Sequence, residues 1–324
     1  MNEKSRTVLL DSGKAVMASV ALGVVIAFLP LLALFAVPAL PVPAALVTSR
    51  HGILAGLAVS LIAGAICFAL TGVYAGLLIF LLAVLAGTGC GLALRRGIGE
   101  FRLFMLAGAC FFAVLVLWLG SLLMISGEGP VSAVQSLAGQ AAEPSRQVYR
   151  AMGMSQQDID ATIAQLNDFA SELPYLAPAV LFVISVSLSG AFAAIGRRVF
   201  KRAGAAFPRD FNFRELKVHW GFAYATITGF ACLIYASLQG GTGAGAACLI
   251  GMNLLIASGV MFFIQGLAVV SFILWHYKLS RVKRAGIYAF VVLLEAFFYT
   301  TSLLGLFDIW FDFRRRLIGR KPAG

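Results

Sequence analysis

Residues 103–125 read LFMLAGACFFAVLVLWLGSLLMI, with no charge and no proline. That is longer than the about 20 residues a helix needs to cross the hydrocarbon core of a bilayer. Where no water can bond the backbone, a helix satisfies its own N–H and C=O groups. Runs of the same kind recur near 15–31, 33–48, 52–71, 74–94, 175–196, 218–238 and 246–275, and a last apolar segment covers 285–312. Across all 324 residues, 60% are apolar, 12% are charged, and mean hydropathy is +0.93. Soluble domains carry about a quarter charged residues, and one or two soluble cores could not bury this much apolar surface. A water-soluble globular enzyme is excluded. The pattern predicts an all-α, polytopic transmembrane helical bundle of eight to ten spanning or re-entrant segments. It divides into an N-terminal five-helix membrane half (1–125), a largely helical extracytoplasmic loop (126–174) and a C-terminal membrane half (175–324).

Pro30, Pro38, Pro41 and Pro43 crowd the second run. Proline lacks a donor and clashes with the preceding turn, so two short or broken helices are expected there. The net charge of +11 is spread over short basic clusters between the apolar runs. It marks topology rather than a nucleic-acid surface. With the N-terminus in the cytoplasm, the clusters at Lys4–Lys14, Arg95–Arg102, Arg197–Lys217 and Lys278–Arg284 all fall inside. Arg314, Arg315, Arg316, Arg320 and Lys321 obey the same rule only if 285–312 is a helical hairpin or re-entrant pair.

The loop 126–174 is acidic and carries helix signals. Pro144 suits a first turn, Gly153 a C-terminal cap, and Ser155 with Asp158 resembles a capping box. Ile159, Ile163 and Leu166 follow at helical spacing, which favours a helix packed on the bundle over a mobile lid.

Chemistry-bearing groups are few. Cys67, Cys90, Cys110, Cys232 and Cys248 lie within apolar runs with no metal-ligand spacing, so they read as packing residues and no metal or other cofactor is expected. His51, His219 and His276 sit at span ends, and no HExxH or Ser-His-Asp arrangement can be assembled, so catalysis is not expected. The Gly-rich stretch 240–245 lacks the lysine of a phosphate loop and reads as a turn. Polar groups inside apolar runs draw functional attention. Asn253, Gln265 and Glu295 are the candidate ligand-binding residues. Asp308 and Asp312 share a helical face, Asp312 and Arg316 are spaced to pair, and Trp310 favours anchoring at the headgroups. Small residues recur every four positions, as in Ala15, Ser19, Gly23 and Ala27, and again in Gly52, Gly56, Ser60 and Gly64. Such rows mark faces of close helix contact.

The stretches FIQGLAV (263–269) and LGLFDIWFDFR (304–314) resemble the YybS-like family of bacterial membrane proteins. Gln265, Gly266, Gly305, Asp308, Trp310, Asp312 and Arg314 carry the resemblance, which implies a bacterial inner-membrane location and no particular activity. The first half is similar to S components of energy-coupling-factor transporters: a small-residue helix, a Pro-rich break, then a Gly-rich helical pair from Thr48 to Leu94. That likeness implies a six-helix bundle capturing a small molecule, with no ATPase of its own. It also implies docking of Ala15, Ser19 and Gly23 on a transmembrane coupling subunit driven by ATPases. The expected function is therefore small-molecule binding and uptake, with a cavity lined by Asn253, Gln265 and Glu295. The alternative is a structural or regulatory membrane protein that acts through partners and transports nothing.

Overall fold

The structure is a computed structural model that describes residues 3–127, 129–208, 212–239 and 242–319; among them every regular element is helical. The chain forms α1 (Glu3–Phe28), α2 (Pro30–Ala39), α3 (Pro41–His51) and α4 (Ile53–Leu81), the last continued by a π-helical stretch (Leu82–Thr88) into α5 (Gly89–Arg95). Next come α6 (Glu100–Ser126), α7 (Pro130–Ala151) and α8 (Gln156–Arg202), then α9 (Gly221–Gln239), α10 (Thr242–His276), α11 (Arg281–Phe298), α12 (Thr300–Phe311) and α13 (Phe313–Gly319). Seven helical stretches among the described residues are long and apolar enough to cross a membrane, eight with the bent α11–α12 pair. The reading as an all-α polytopic membrane protein holds.

One of the seven, Ile53–Arg95, folds back on itself. Gly72 has φ +78° and ψ −177°, a conformation glycine adopts without a Cβ clash. Beyond it the chain returns along its own path: Ser60 Oγ donates to the Ala83 carbonyl at 3.0 Å. In a straight helix those two residues would lie roughly 35 Å apart. Gly64 faces the Phe80 ring, and Gly76 lies so near Phe68 that a Cβ would stand 2.6 Å from its Cα. The expected runs 52–71 and 74–94 are therefore the two limbs of one hairpin. Counting the limbs separately, the seven apolar stretches become eight, and the bent α11–α12 pair is a further apolar element.

The proline-rich region forms α2 and α3, abutting at Leu40, whose backbone stays helical. Pro30 and Pro41 each occupy a first-turn position, where a missing N–H costs nothing. The break is milder than the proline count suggests, and Leu31–His51 is long enough to cross as one run. Past α7, Ser155 caps α8 as expected, accepting from the Asp158 N–H at 3.2 Å. Pro144, expected to open a helix, lies instead inside α7, which begins at Pro130.

The chain resolves into two compact units. The first comprises Met1–Ala177 and Ile184–Asp210, the second Pro178–Val183 and Phe211–Gly324. The boundaries at 125 and 175 suggested by hydropathy do not separate the units, because the later part of α8 belongs to the core of the first. Phe192 and Phe200 are buried there with Leu103, Phe111 and Ile79, and the Phe111 and Phe192 rings meet edge-on at 6.2 Å.

In the first unit a group of charged residues joins the ends of α1, α3 and α8. Asp11 binds Arg50 at 3.3 Å and His51 at 2.9 Å, Arg50 also donates to the Ala203 carbonyl, and Arg197 pairs with the buried Glu100. In the second unit the Arg214 guanidinium lies 5.2 Å from the Trp275 ring near the end of α10, and Arg314 bonds the Arg214 carbonyl. The arginine-rich tail thus returns to the end from which α11 departs. Between the two, α11 and α12 are bent by 96° at Tyr299, whose φ is +50°. Residues 285–312 thus form a sharply bent helix pair, the shape expected of a hairpin or re-entrant pair.

Helix contacts in the first unit depend on missing side chains. A Cβ on Gly91 would lie 2.5 Å from Thr48 Cβ and 2.7 Å from the Ala45 carbonyl, both on α3. We expect Gly91→Ala to cost about 1–3 kcal/mol through overpacking and to lower the thermal midpoint in detergent. Gly13→Ala, with no atom within 4 Å of the added carbon, leaves the midpoint unchanged or slightly raised.

Candidate functional site

Gln265 and Asp308 come together because two glycines let α10 and α12 cross with their backbones in contact. A Cβ on Gly305 would stand 2.8 Å from the Gly266 nitrogen, and one on Gly266 2.8 Å from the Thr301 side chain. Across that crossing Gln265 Nε2 donates to Asp308 Oδ2 at 3.1 Å. Asp312, with φ +41°, ends α12 and turns the chain so that Arg314 points back and pairs with the same carboxylate. Arg314 Nη1 also donates to the carbonyls of Arg214 (2.8 Å) and Leu216 (2.9 Å). Asp308 Oδ1 accepts from the Phe313 N–H at 3.1 Å, and Gln265 Oε1 from the Val218 N–H at 2.8 Å. Gln265, Asp308 and Arg314 are 1%, 2% and 5% exposed.

An ion pair this deeply buried persists only when each charge has close partners, because desolvation costs several kcal/mol per ion. Here one carboxylate, one amide and one guanidinium join α10, α12, α13 and the 214–218 segment. Both Asp308 oxygens are already bonded, so the cluster is a lock rather than an open ligand site. Five of the seven family-motif residues, Gln265, Gly266, Gly305, Asp308 and Arg314, build it directly. Asp312 supplies its turn, and Trp310 is half exposed beside it.

Headgroup anchoring, expected for the aspartates, therefore does not describe Asp308. The expected Asp312–Arg316 pair is absent as well. Asp312 leaves the helix, and its carboxylate instead binds Lys217 at 2.8 Å and Arg315 at 3.2 Å. Arg316 lies 5.4 Å over the Phe311 ring. The Lys217 hydrogen bond, opposed by some desolvation, holds the Asp312 carboxyl below its ordinary 3.8. A lowered carboxyl pKa stabilises the fold above its unfolded value and loses that effect as pH falls through the folded one. This outer pair is thus intact at neutral pH and lost only in strong acid.

The other two candidate ligand residues are also used internally. Asn253 Oδ1 accepts from the Ala179 N–H at 3.0 Å, next to Pro178, and its Nδ2 donates to the Leu249 carbonyl at 2.8 Å. Glu295 Oε2 accepts from the N–H groups of Thr301 (2.7 Å) and Ser302 (3.2 Å), and its other oxygen accepts from the Ser302 hydroxyl. It caps α12 across the sharp bend. Asn253, Gln265 and Glu295 each accept from backbone N–H groups within the protein.

On α1, Ala15 is buried against Ala44, Val47 and Val59, and Ser19 is fully covered. A Cβ on Gly23 would meet Cys67 Sγ at 2.7 Å and Ile79 Cδ1 at 3.0 Å. The row expected to receive a coupling subunit is occupied by the protein's own helices. In lipid, small residues are needed wherever backbones approach, within one chain as much as between chains.

A cavity of about 350 Å³ lies on the adjoining face of α1. Asp11, Lys14, Ala15 and Ala18 line one wall, Pro43, Leu46, Val47 and Arg50 of α3 the other, with Val199 and Ala203 at the end of α8. Both walls follow the i, i+3, i+4, i+7 spacing of a single helix face. That spacing was available in the sequence, but each helix alone gives no sign that the other faces it. The volume falls in the range of small-molecule sites, about 300–1,000 Å³. A second hollow of about 320 Å³, lined by Gln135, Gly139, Asn167 and Ala170, lies between α7 and the start of α8.

A many-crossing helical protein with polar groups locked inside is an integral membrane protein. More narrowly, the chain belongs to the family described as "Predicted membrane protein (DUF2232)", whose model matches residues 17–309. It is 22% identical over 300 residues to the "Uncharacterized protein YybS" of Bacillus subtilis (strain 168), an alignment covering 90% of this chain and 92% of that protein. No solved structure matches.

Breaking a buried pair by removing one partner typically costs about 3–5 kcal/mol, whereas replacing both with apolar residues is often neutral. Arg314→Met is therefore expected to lower unfolding stability in detergent by about that amount. The double substitution Asp308→Leu with Arg314→Met should recover most of the loss.

Proposed function

We propose that the protein is a non-catalytic, small-molecule-binding protein of the bacterial inner membrane, S-component-like in its first unit, with its binding site in the cavity between α1, α3 and the end of α8. The observation carrying this reading is that cavity, which sets a charged rim over an apolar floor beside a closely packed core. Supporting it, six apolar crossings lie wholly or mostly in the first unit: Ser5–Phe28, Leu31–His51, the two limbs of Ile53–Arg95, Glu100–Ser126 and Gln156–Arg202, of which only Pro178–Val183 belong to the second. That is the number the likeness to S components implies. With the N-terminus cytoplasmic, the mouth among Asp11, Lys14 and Arg50 opens toward the cytoplasm, not beneath the outer loop. Uptake through a coupling subunit is not part of the proposal, because Ala15, Ser19 and Gly23 are covered. No cavity-lining residue carries a hydroxyl or thiol nucleophile, in keeping with binding rather than catalysis.

The second unit favours a second reading, a structural or regulatory role through protein partners: Gln265, Glu295 and Asp308 there are all spent on holding helices together. Native mass spectrometry of the protein extracted from its own membranes tests the first reading. A bound small molecule that is lost in Ala18→Phe, which fills the cavity, supports it. An apo wild type, or a ligand unaffected by Ala18→Phe, contradicts it in favour of the second.

A further inference from the structure

Resting on the cavity as the binding site, we infer that its ligand is an anionic amphiphile: a phosphate or carboxylate head held at Lys14, with a short alkyl segment on the apolar floor. The charges at the rim are unequal. Asp11 is already shared between Arg50 at 3.3 Å and His51 at 2.9 Å, and Arg50 donates in addition to the Ala203 carbonyl. Lys14, one turn along α1 from Asp11, makes no ion pair among the described residues. The rim therefore carries one cation more than its carboxylate can neutralise. Below it Ala15, Ala18, Pro43, Leu46, Val47 and Val199 offer neither charge nor side-chain hydrogen-bonding group.

A small polar solute would leave that floor without partners, and a neutral hydrocarbon would leave Lys14 unanswered. A cation would be repelled. A single-charged head on an alkyl chain satisfies both parts, with Lys14 as a compact point charge against phosphate or carboxylate oxygen. About 350 Å³ is roughly a dozen times the ~30 Å³ share of one water, enough for a head and a short chain but not for a whole two-chain lipid. The same chemistry is found on the phosphate and first methylenes of a bilayer phospholipid and on a free alkyl phosphate.

The test uses the full-length protein in phosphatidylcholine nanodiscs, with saturable binding of radiolabelled decyl phosphate measured above partition into empty discs. Decyl phosphate is expected to bind at least tenfold more tightly than decylphosphocholine or inorganic phosphate. Lys14→Glu should lose at least tenfold, Lys14→Arg should retain binding, and Ala18→Phe should abolish it. Repeating the titration in phosphatidylglycerol discs assigns the source: suppressed binding there identifies an anionic bilayer lipid as the natural occupant, and undiminished binding a free amphiphile. Equal binding of decyl phosphate and decylphosphocholine, both lost in Ala18→Phe, overturns the anionic head and leaves the cavity reading standing. Absence of saturable binding for every probe, in wild type and Ala18→Phe alike, overturns both.

Discussion

A carboxylate and a guanidinium placed among apolar helices have only the protein to replace the water they gave up, and the second unit is arranged around that demand. Arg314, Gln265 and the Phe313 N–H all reach the Asp308 carboxylate. Each of those groups lies on a different element or just past a turn. The pair therefore determines where the chain must go: α12 has to cross α10 at Gly266 and Gly305, Asp312 has to leave the helix, and the 214–218 segment has to offer its carbonyls. The same demand accounts for Glu295, whose oxygens take the exposed donors at the start of α12, and for Asn253, which answers the N–H next to Pro178. The bonding is close to complete but not total: among the described residues Arg314 Nε, Asp312 Oδ1 and Arg284 Nε have no hydrogen-bond partner.

Packing follows a second constraint. Lipid tails are as apolar as leucine, so helices gain little by hiding leucine from them and associate instead by close backbone approach. Gly64 and Gly76 close the hairpin around Gly72, and Gly87 and Gly91 bring its second limb onto α3. On α1 the adjoining faces have opposite uses: Ser19 and Gly23 are packed, Asp11, Lys14 and Ala18 border open space, and Ala15 lies where the two faces meet. A cavity so close to a tight seam survives because Pro43 and the small residues around it do not fill the gap.

Much of the fold was legible in the sequence because bilayer thickness imposes a length on every apolar run. The runs 52–71 and 74–94 anticipated the Gly72 turn, Ser155 and Asp158 anticipated the start of α8, and the basic tail required that residues 285–312 return. The site was less legible. The polar residues singled out inside apolar runs bond to backbone groups, to residues just past a turn, as with Asp308 and Arg314, and to residues about 40 or more positions away, as with Gln265 and Asp308 or Lys217 and Asp312. Helical spacing pointed Asp312 to Arg316, and a single residue in the left-handed region cancelled that geometry. Small-residue spacing likewise identified α1 as a contact helix without saying that the contact is internal.

The central claim is that the Asp308–Arg314 lock returns the C-terminal tail to the end where α10 finishes. Single cysteines at Ser280, Arg315 and Gln239, each in an otherwise cysteine-free protein, can be labelled with a membrane-impermeant maleimide in sealed vesicles of known orientation. The account predicts that positions 280 and 315 react from the same side and position 239, at the end of α9, from the opposite one. Labelling of 280 and 315 from opposite sides would contradict it.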